Sequence, residues 1–442
     1  MKPLEEAHIA IIDAGNFVSL SEGLSRSFGK VSYYSPYESE FLEIEKCVIG
    51  DGCDGFDRVD EYMDPEFFNS VDCWAFPDVG FGGFQRYLRS LGKLVWGSMG
   101  ASDLELFRTR FIKTLYDVGL PVIESHRIQG LTALDEFLKA AKGEWWIKLN
   151  RYRGNFETTK HSSYPHSRLL LDRLAVVFGP MKERIVFVVQ KAIKDEEDSP
   201  VLEVGYDGWM VTSPDGEPQF PPCSFQGEEG KNELYLGSLL DWEELPDDVR
   251  LVNEKIAPIL ASYGYRNFWA TEIRIKDGVP YFIDPTARMA GMTMEHNLRS
   301  CSNLARVIYE GAQGKIVVPE FLDPFAAEAT LHYTGEKDGW KFLEVPESLQ
   351  DWVWLYRYCC IEGMYHFPPH KSDELGVVCG SGDTIEQAIE SLNEHFEELS
   401  YQPVKIETAG FVDLLKQIKA GEDEGIMFSD QEVPSPESIV AD

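Results

Sequence analysis

Phe268-Trp269-Ala270-Thr271-Glu272-Ile273-Arg274-Ile275, then Lys276-Asp277-Gly278-Val279-Pro280, then Tyr281-Phe282-Ile283-Asp284-Pro285-Thr286-Ala287-Arg288 is the stretch on which the reading of the chain turns. Two β-rich runs joined by a turn containing Asp-Gly predict a hairpin. Each run carries one carboxylate in apolar company, which is costly unless something cationic occupies the site. Two carboxylates on adjacent strands can share one or two Mg²⁺ ions, because Mg²⁺ is usually held by one or two carboxylates plus substrate phosphates. The register decides whether they meet. A two-residue Asp277-Gly278 turn pairs Glu272 with Ile283 and sends Asp284 to the other face, so the metal reading requires an odd loop or a bulge. Pro280 argues against pairing that continues right up to the turn. The competing reading is a surface hairpin whose Glu272 and Asp284 pair with Arg274 and Arg288.

Working outward, the 442 residues are enough for two or three domains, and 43% hydrophobic content is that of a globular protein. The 41 basic and 75 acidic residues give a formal net charge of −34, which repels nucleic acid and anionic membranes. No apolar run approaches the roughly 18 residues of a membrane span. The start Met1-Lys2-Pro3-Leu4-Glu5-Glu6 lacks the regions of a signal peptide, so a cytoplasmic protein is expected. Eight scattered cysteines without a C-x-x-C pair read as reduced thiols.

Before the hairpin, His8-Ile9-Ala10-Ile11-Ile12-Asp13, Val31-Ser32-Tyr33-Tyr34, Cys73-Trp74-Ala75-Phe76-Pro77 and Leu94-Val95-Trp96-Gly97 read as strands, with helices over residues 19–28 and 84–91. Alternation of this kind predicts a parallel α/β domain over residues 1–102. The turn Val79-Gly80-Phe81-Gly82-Gly83-Phe84 lacks the third glycine of a dinucleotide-binding loop. A helix is expected over residues 105–115, ended by Gly119-Leu120-Pro121. Trp145-Trp146-Ile147-Lys148-Leu149 reads as a strand with a lone lysine, followed by the cationic loop Asn150-Arg151-Tyr152-Arg153-Gly154-Asn155. Lysine beside a basic, glycine-containing loop suits nucleotide phosphates; a solvated lysine on an edge strand is the alternative. Ile185-Val186-Phe187-Val188-Val189-Gln190 is a further buried strand, leading into Lys191. Residues 204–237, dense in glycine and aromatics without periodicity, suit a substrate-facing wall or plain loop packing.

After the hairpin a helix is expected over residues 297–311, and a smaller α+β region over residues 326–420. In that region Gly376-Val377-Val378-Cys379-Gly380 reads as a strand, and Asp383-Thr384 caps a helix with Ile385, Ala388, Ile389, Leu392, Phe396 and Leu399 on one face. Residues 421–442 are acidic and core-poor and read as a disordered tail.

The order of these parts resembles the ATP-grasp ligases, and within them the phosphoribosylamine-glycine ligase family. Val95-Trp96-Gly97-Ser98 followed by Leu104-Glu105 and Arg108 is similar to the family's strand, loop and Lys-bearing helix, with Arg108 in the lysine's place. Lys148 matches the strand lysine that contacts nucleotide phosphates. Val189-Gln190-Lys191-Ala192-Ile193 resembles the hinge strand over the adenine, with Gln190-Lys191 where the family has an acidic pair. Glu272 and Asp284 match the two metal-binding carboxylates, Thr286 stands where an Asn ligand is common, and Arg288 falls where an arginine meets the reacting phosphate. Asp-Pro-Thr-Ala-Arg departs from the R-F-G-D-P-E pattern of the family, as does the single Gly154 in a loop that is usually glycine-rich.

The resemblance implies an ATP-grasp domain over residues 103–325, ATP and Mg²⁺ as cofactors, Arg108, Lys148, Arg153, Gly154, Gln190 and Lys191 around the nucleotide, and Lys148 and Arg288 in catalysis. The implied reaction resembles a step of purine biosynthesis. The carboxylate of a small amino acid attacks the γ-phosphate of ATP, and an amine borne by a nucleotide or sugar phosphate captures the acyl phosphate. Two other readings stand beside it: a nucleotide-binding protein without turnover, and a ligase acting on a modified nucleic-acid base, which the net charge disfavours.

Overall fold

The structure is a computed structural model that describes residues 2–35, 48–151, 158–194, 201–230, 234–291, 295–336, 339–369, 372–431 and 433–435. It opens with a five-stranded sheet in the order Asp57–Arg58, Lys30–Tyr34, His8–Ile12, Cys73–Ala75, Leu94–Trp96, every pair parallel. His8–Ile12 is buried at all five positions, which is why it reads as an unbroken apolar run and not as an alternating one. Helices Val18–Ser25 and Gly82–Ser90 flank it. The glycine-rich turn ends with Phe81 in the left-handed region at φ 53°, directly before the second of these helices.

The helix expected over residues 105–115 is two helices, Ser102–Leu106 and Arg108–Val118, broken where Phe107 turns extended at φ −131° and ψ 97°. Asn150 makes up for the missing cap: its side-chain oxygen accepts from Thr109 N at 3.0 Å and its carbonyl from Arg108 N at 2.9 Å. Gly119, at φ 72°, closes the second helix as expected.

An antiparallel four-stranded sheet follows, ordered Ser125–Gln129, Val186–Lys191, Trp145–Leu149, Thr158–His161. Leu134 and Leu138 of helix Leu131–Ala140, and Leu171 and Leu174 of helix Tyr164–Phe178, share a core with Ile147, Phe187 and Val189. The Lys148 strand is interior to this sheet, so the edge-strand reading is overturned.

The largest sheet runs Val279–Thr286, Arg266–Lys276, Leu202–Thr212, Cys223–Gly230, Leu234–Asp241, Phe325–Tyr333, Glu374–Gly382, Val353–Leu355. Residues 204–237 therefore form most of three long strands, not loop packing. The strands after residue 325 continue the same sheet, so no sheet boundary coincides with the division expected there. Thr384 caps helix Ile385–Glu397 by accepting from Gln387 N at 3.3 Å. The helix expected over residues 297–311 is interrupted, with Asn297–Ser300 and Leu304–Gly311 as separate turns.

Part of the expected tail is packed. Helix Phe411–Asp423 runs into it, Phe428 and Val433 are both 2% exposed, and Gln226 Nε2 donates to Met427 O at 3.2 Å. Two apolar residues suffice to anchor a segment whose acidic composition suggested none. Among the described residues no helix is long and apolar enough to cross a membrane.

Candidate active site

The hairpin closes through Lys276 and Val279, with Asp277 at φ 53° and Gly278 at φ 70°, the double positive φ that a two-residue hairpin turn needs. Pairing then runs Ile275 to Pro280, Arg274 to Tyr281, Ile273 to Phe282, and shifts, so that Glu272 faces Asp284 and Ala270 faces Thr286. Ile283 is the extra residue of a β-bulge. The turn is thus the one that would have separated the carboxylates, and the bulge restores them to one another. Pairing does run through Pro280, contrary to expectation. Next to a closing hydrogen-bonded pair comes a non-bonded pair, whose backbone nitrogens point away from the partner. Val279–Thr286 is the sheet's edge strand, so the missing N–H of Pro280 faces no ladder.

Glu272, Asp284, Thr286 and Arg288 line one open cleft of about 890 Å³. Its other walls come from the C-terminal ends of the parallel strands, through Asn16, Phe17, Asp78 and Val79, and from the long strands, through Glu203, Asp207, Glu229 and Tyr235. Residues 204–237 thus do supply a cleft wall. These acids had no motif to mark them, being set among glycines and aromatics.

Asp284 is braced from two elements. Arg108 Nη1, at the start of its helix, lies 3.0 Å from Asp284 Oδ1, and Lys148 Nζ reaches across from the four-stranded sheet to within 3.6 Å of Oδ2. Both cations are buried, at 9% and 7% exposure, which makes a partner carboxylate obligatory. Glu272 sits differently. Arg274 Nη2 is 3.2 Å away, but Arg274 Nε also serves Glu203 at 2.9 Å. Burial first, then the Glu203 and Asp284 charges, push Glu272 up to about 7 against the pull of Arg274 and Lys148. Burial and the Glu272 charge push Glu229 up to about 8.

Arg288 is held by Glu105, whose two oxygens accept from Arg288 Nε at 2.9 Å and from Ala287 N at 2.8 Å. Of the pairs in the surface-hairpin reading, Arg274 with Glu272 is present, while among the described residues the ion-pair partners of Asp284 are Arg108 and Lys148. Glu105 went unassigned in the sequence, although it lies three residues before Arg108. Gln190 and Lys191 end their strand beside Ser125 and Glu124, at 3.2 and 3.3 Å, and do not line the cleft. Arg153 and Gly154 lie outside the described residues.

No protein-family model matches this sequence, and no curated protein sequence matches it. Solved structures do. Phosphoribosylamine–glycine ligase from Thermotoga maritima superposes with a TM-score of 0.61 at 14% identity, over 91% of this chain and 98% of that one. N5-carboxyaminoimidazole synthetase from Staphylococcus aureus, complexed with ADP, gives 0.56 at 14% over 89% and 98%. Biotin carboxylase from Campylobacter jejuni, in a β-γ-ATP complex, gives 0.59 at 12% over 90% and 92%. The chain has the fold of the ATP-grasp ligases over about nine tenths of its length.

Proposed function

We propose that the protein is an ATP-dependent carboxylate–amine ligase. A substrate carboxylate takes the γ-phosphoryl group of ATP, and an amine then attacks the acyl phosphate, forming a C–N bond and releasing phosphate. The observation that carries this reading is the pairing of Glu272 with Asp284 across the bulge, with Arg108 and Lys148 closing on Asp284 from two other elements of the same fold.

The cleft fits a divalent cation. Its described lining holds eight carboxylates against three arginines, an excess of negative charge that a divalent cation would offset. Glu272 and Asp284, with Thr286 beside them, would hold Mg²⁺, which supplies Lewis-acid neutralisation of phosphate oxygens. The chain's own residues do the rest. Lys148 and Arg108 bring two positive charges to the point where the nucleotide phosphates would lie. Arg288, fixed at the wall by Glu105, would neutralise the equatorial oxygens of the transferred group in a loose transition state. No side-chain nucleophile is required, since the substrate carboxylate attacks.

The carboxylate we expect is a small amino acid, and the amine one borne by a nucleotide or sugar phosphate, as in purine biosynthesis. Phosphoribosylamine–glycine ligase and N5-carboxyaminoimidazole synthetase, both similar in fold, are enzymes of small molecules, which supports substrates of this kind. The deciding experiment is ADP release from ATP and Mg²⁺ across a panel of amino acids and amines. Release that requires both partners supports the ligase; nucleotide binding with no release under any pair would make the protein a non-catalytic ATP binder.

A further inference from the structure

Outside the cleft, three segments far apart in sequence bring metal-ligand chemistry to one point. Glu22 lies on helix Val18–Ser25, Cys53 in the loop before Asp57–Arg58, and Cys360 in strand Cys359–Ile361. A Glu22 carboxylate oxygen and the two sulfurs all lie within 4.8 Å of one another, and the sulfurs are 2.9 Å apart. Backbone contacts fix this approach. Cys360 N donates to Asp51 O at 2.7 Å and Gly50 N to Tyr358 O at 2.7 Å. A Cβ at Gly52 would stand 2.1 Å from Cys360 O, so the loop can come this close only because the residue is glycine.

One buried and one half-buried thiol alone behave as small apolar groups and would not draw in a carboxylate. Arg26, four residues on from Glu22, is paired with Asp351 instead, and among the described residues no base forms an ion pair with Glu22. Glu22 takes a hydrogen bond from Tyr358 and feels the Arg26 charge, but among the described residues it has no ion pair of its own, so a partly buried carboxylate beside two sulfurs forms a donor set that an ion can complete.

The geometry points to a zinc site formed by Glu22, Cys53 and Cys360. Zinc takes thiolate sulfur at roughly 2.3 Å and carboxylate oxygen at roughly 2.0–2.2 Å in a tetrahedron, and two thiolates select it over Mg²⁺ or Ca²⁺. Two sulfurs on one such ion stand about 3.8 Å apart, so binding opens the pair by about 0.9 Å from its present 2.9 Å, a side-chain rotation. Both thiols release their protons to solvent as the ion enters, and Glu22 binds as carboxylate. Cys360 and Glu22 are only partly covered, which gives the ion a path and leaves the fourth position to water.

The site joins the parallel-sheet unit to the strand that follows Tyr356 and Arg357, both in the cleft lining. Arg357 N in turn donates to Gly15 O at 3.0 Å. Zinc here would be structural, clamping the two walls of the cleft against one another.

The test uses the full chain, reduced, loaded with zinc, dialysed and analysed for metal. About one zinc per chain is expected, removable by a strong chelator with a melting temperature lower by several degrees. Replacement by Co²⁺ should give a sulfur-to-metal absorption band that Cys53→Ser and Cys360→Ser each diminish, while Glu22→Gln keeps the band and weakens binding about tenfold or more. A Glu272→Gln variant should retain the zinc, which separates this site from the cleft. Because the serine variants can misfold, alkylation of the unaltered chain gives an independent readout. Zinc should protect Cys53 and Cys360, mapped by peptide mass. No retained zinc, equal alkylation with and without zinc, a cobalt band unchanged in both serine variants, or a Cys53–Cys360 disulfide in the chain as isolated would each overturn the assignment.

Discussion

The two strands of the hairpin present the same functional group in opposite electrostatic settings. On Val279–Thr286, Asp284 is met by Arg108 and Lys148, two cations that the protein itself supplies. On Arg266–Lys276, Glu272 has half of one arginine, shared with Glu203, and is pushed up to about 7. The bulge at Ile283 is what sets them face to face. One carboxylate thus positions cations that the chain owns, and the other, on the proposed reading, would take one that it does not.

The largest test removes each charge in turn. Glu272→Gln and Asp284→Asn should each slow ADP formation by about 100-fold or more with saturating Mg²⁺, because each removes a charge proposed to hold the ion at the transferred phosphate. The melting temperatures should split the pair. Without Mg²⁺ at pH 8, Glu272→Gln should melt no lower than the unaltered chain, since it removes repulsion, whereas Asp284→Asn should melt lower because it strands two buried cations. Near-native turnover in both variants would end the proposed mechanism; equal melting shifts would end the asymmetry.

Lys148→Ala comes next. Loss of a charge-assisted contact of about 1.5–3 kcal/mol should weaken ATP binding tenfold or more, measured by calorimetry. Unchanged affinity would leave Lys148 as a brace for Asp284 and nothing more.

The hairpin was legible because its alternating runs and Asp-Gly turn are local signals, and the register argument even named the bulge as a condition. Whether the bulge existed was not legible, since it depends on how the edge strand bends against its neighbour. Lys148 was visible as a lone cation in an apolar strand, but its reach to Asp284 spans two sheets and leaves no trace in spacing. The wall carrying Glu203, Asp207 and Glu229 was hardest to read as strand, because Leu202–Thr212 is buried at ten of its eleven positions and shows no alternation. Arg288 was placed at the reacting phosphate by resemblance alone, and nothing in the spacing marked the Glu105 that holds it, which is far from it in sequence.

A smaller effect concerns pH. Glu272 is raised from an ordinary 4.5 to about 7, so between those values the folded chain binds the extra proton. Its contribution to stability is fully present below about 4.5 and is lost as pH rises through about 7. Glu229, raised to about 8, acts in the same direction. On the proposed reading, Mg²⁺ would bind the deprotonated form and offset that loss. The Mg²⁺-induced rise in melting temperature should thus be greater at pH 8 than at pH 5.5, by a few degrees. The same rise at both pH values would show that the ion does not bind at Glu272.

The smallest expected effect sharpens the comparison most, because it leaves both carboxylates in place and changes only the charge beside one of them. Arg274 lies 3.2 Å from Glu272 and 2.9 Å from Glu203, and it is the foremost influence holding Glu272 down. Arg274→Gln keeps a hydrogen-bonding side chain of similar reach and removes the charge. If Glu272 must ionise before the metal binds, the acid limb of the pH profile of kcat/KM should move to higher pH, by less than about one unit, because Lys148 still acts on the same carboxylate and the site is open to screening by salt. At pH 9, where Glu272 is ionised in either protein, the two rates should converge. That convergence separates an electrostatic role from a structural one, since a distorted strand would lower the rate at every pH. An acid limb that stays in place would mean that a group other than Glu272 sets it, and the unequal pair would lose its functional meaning.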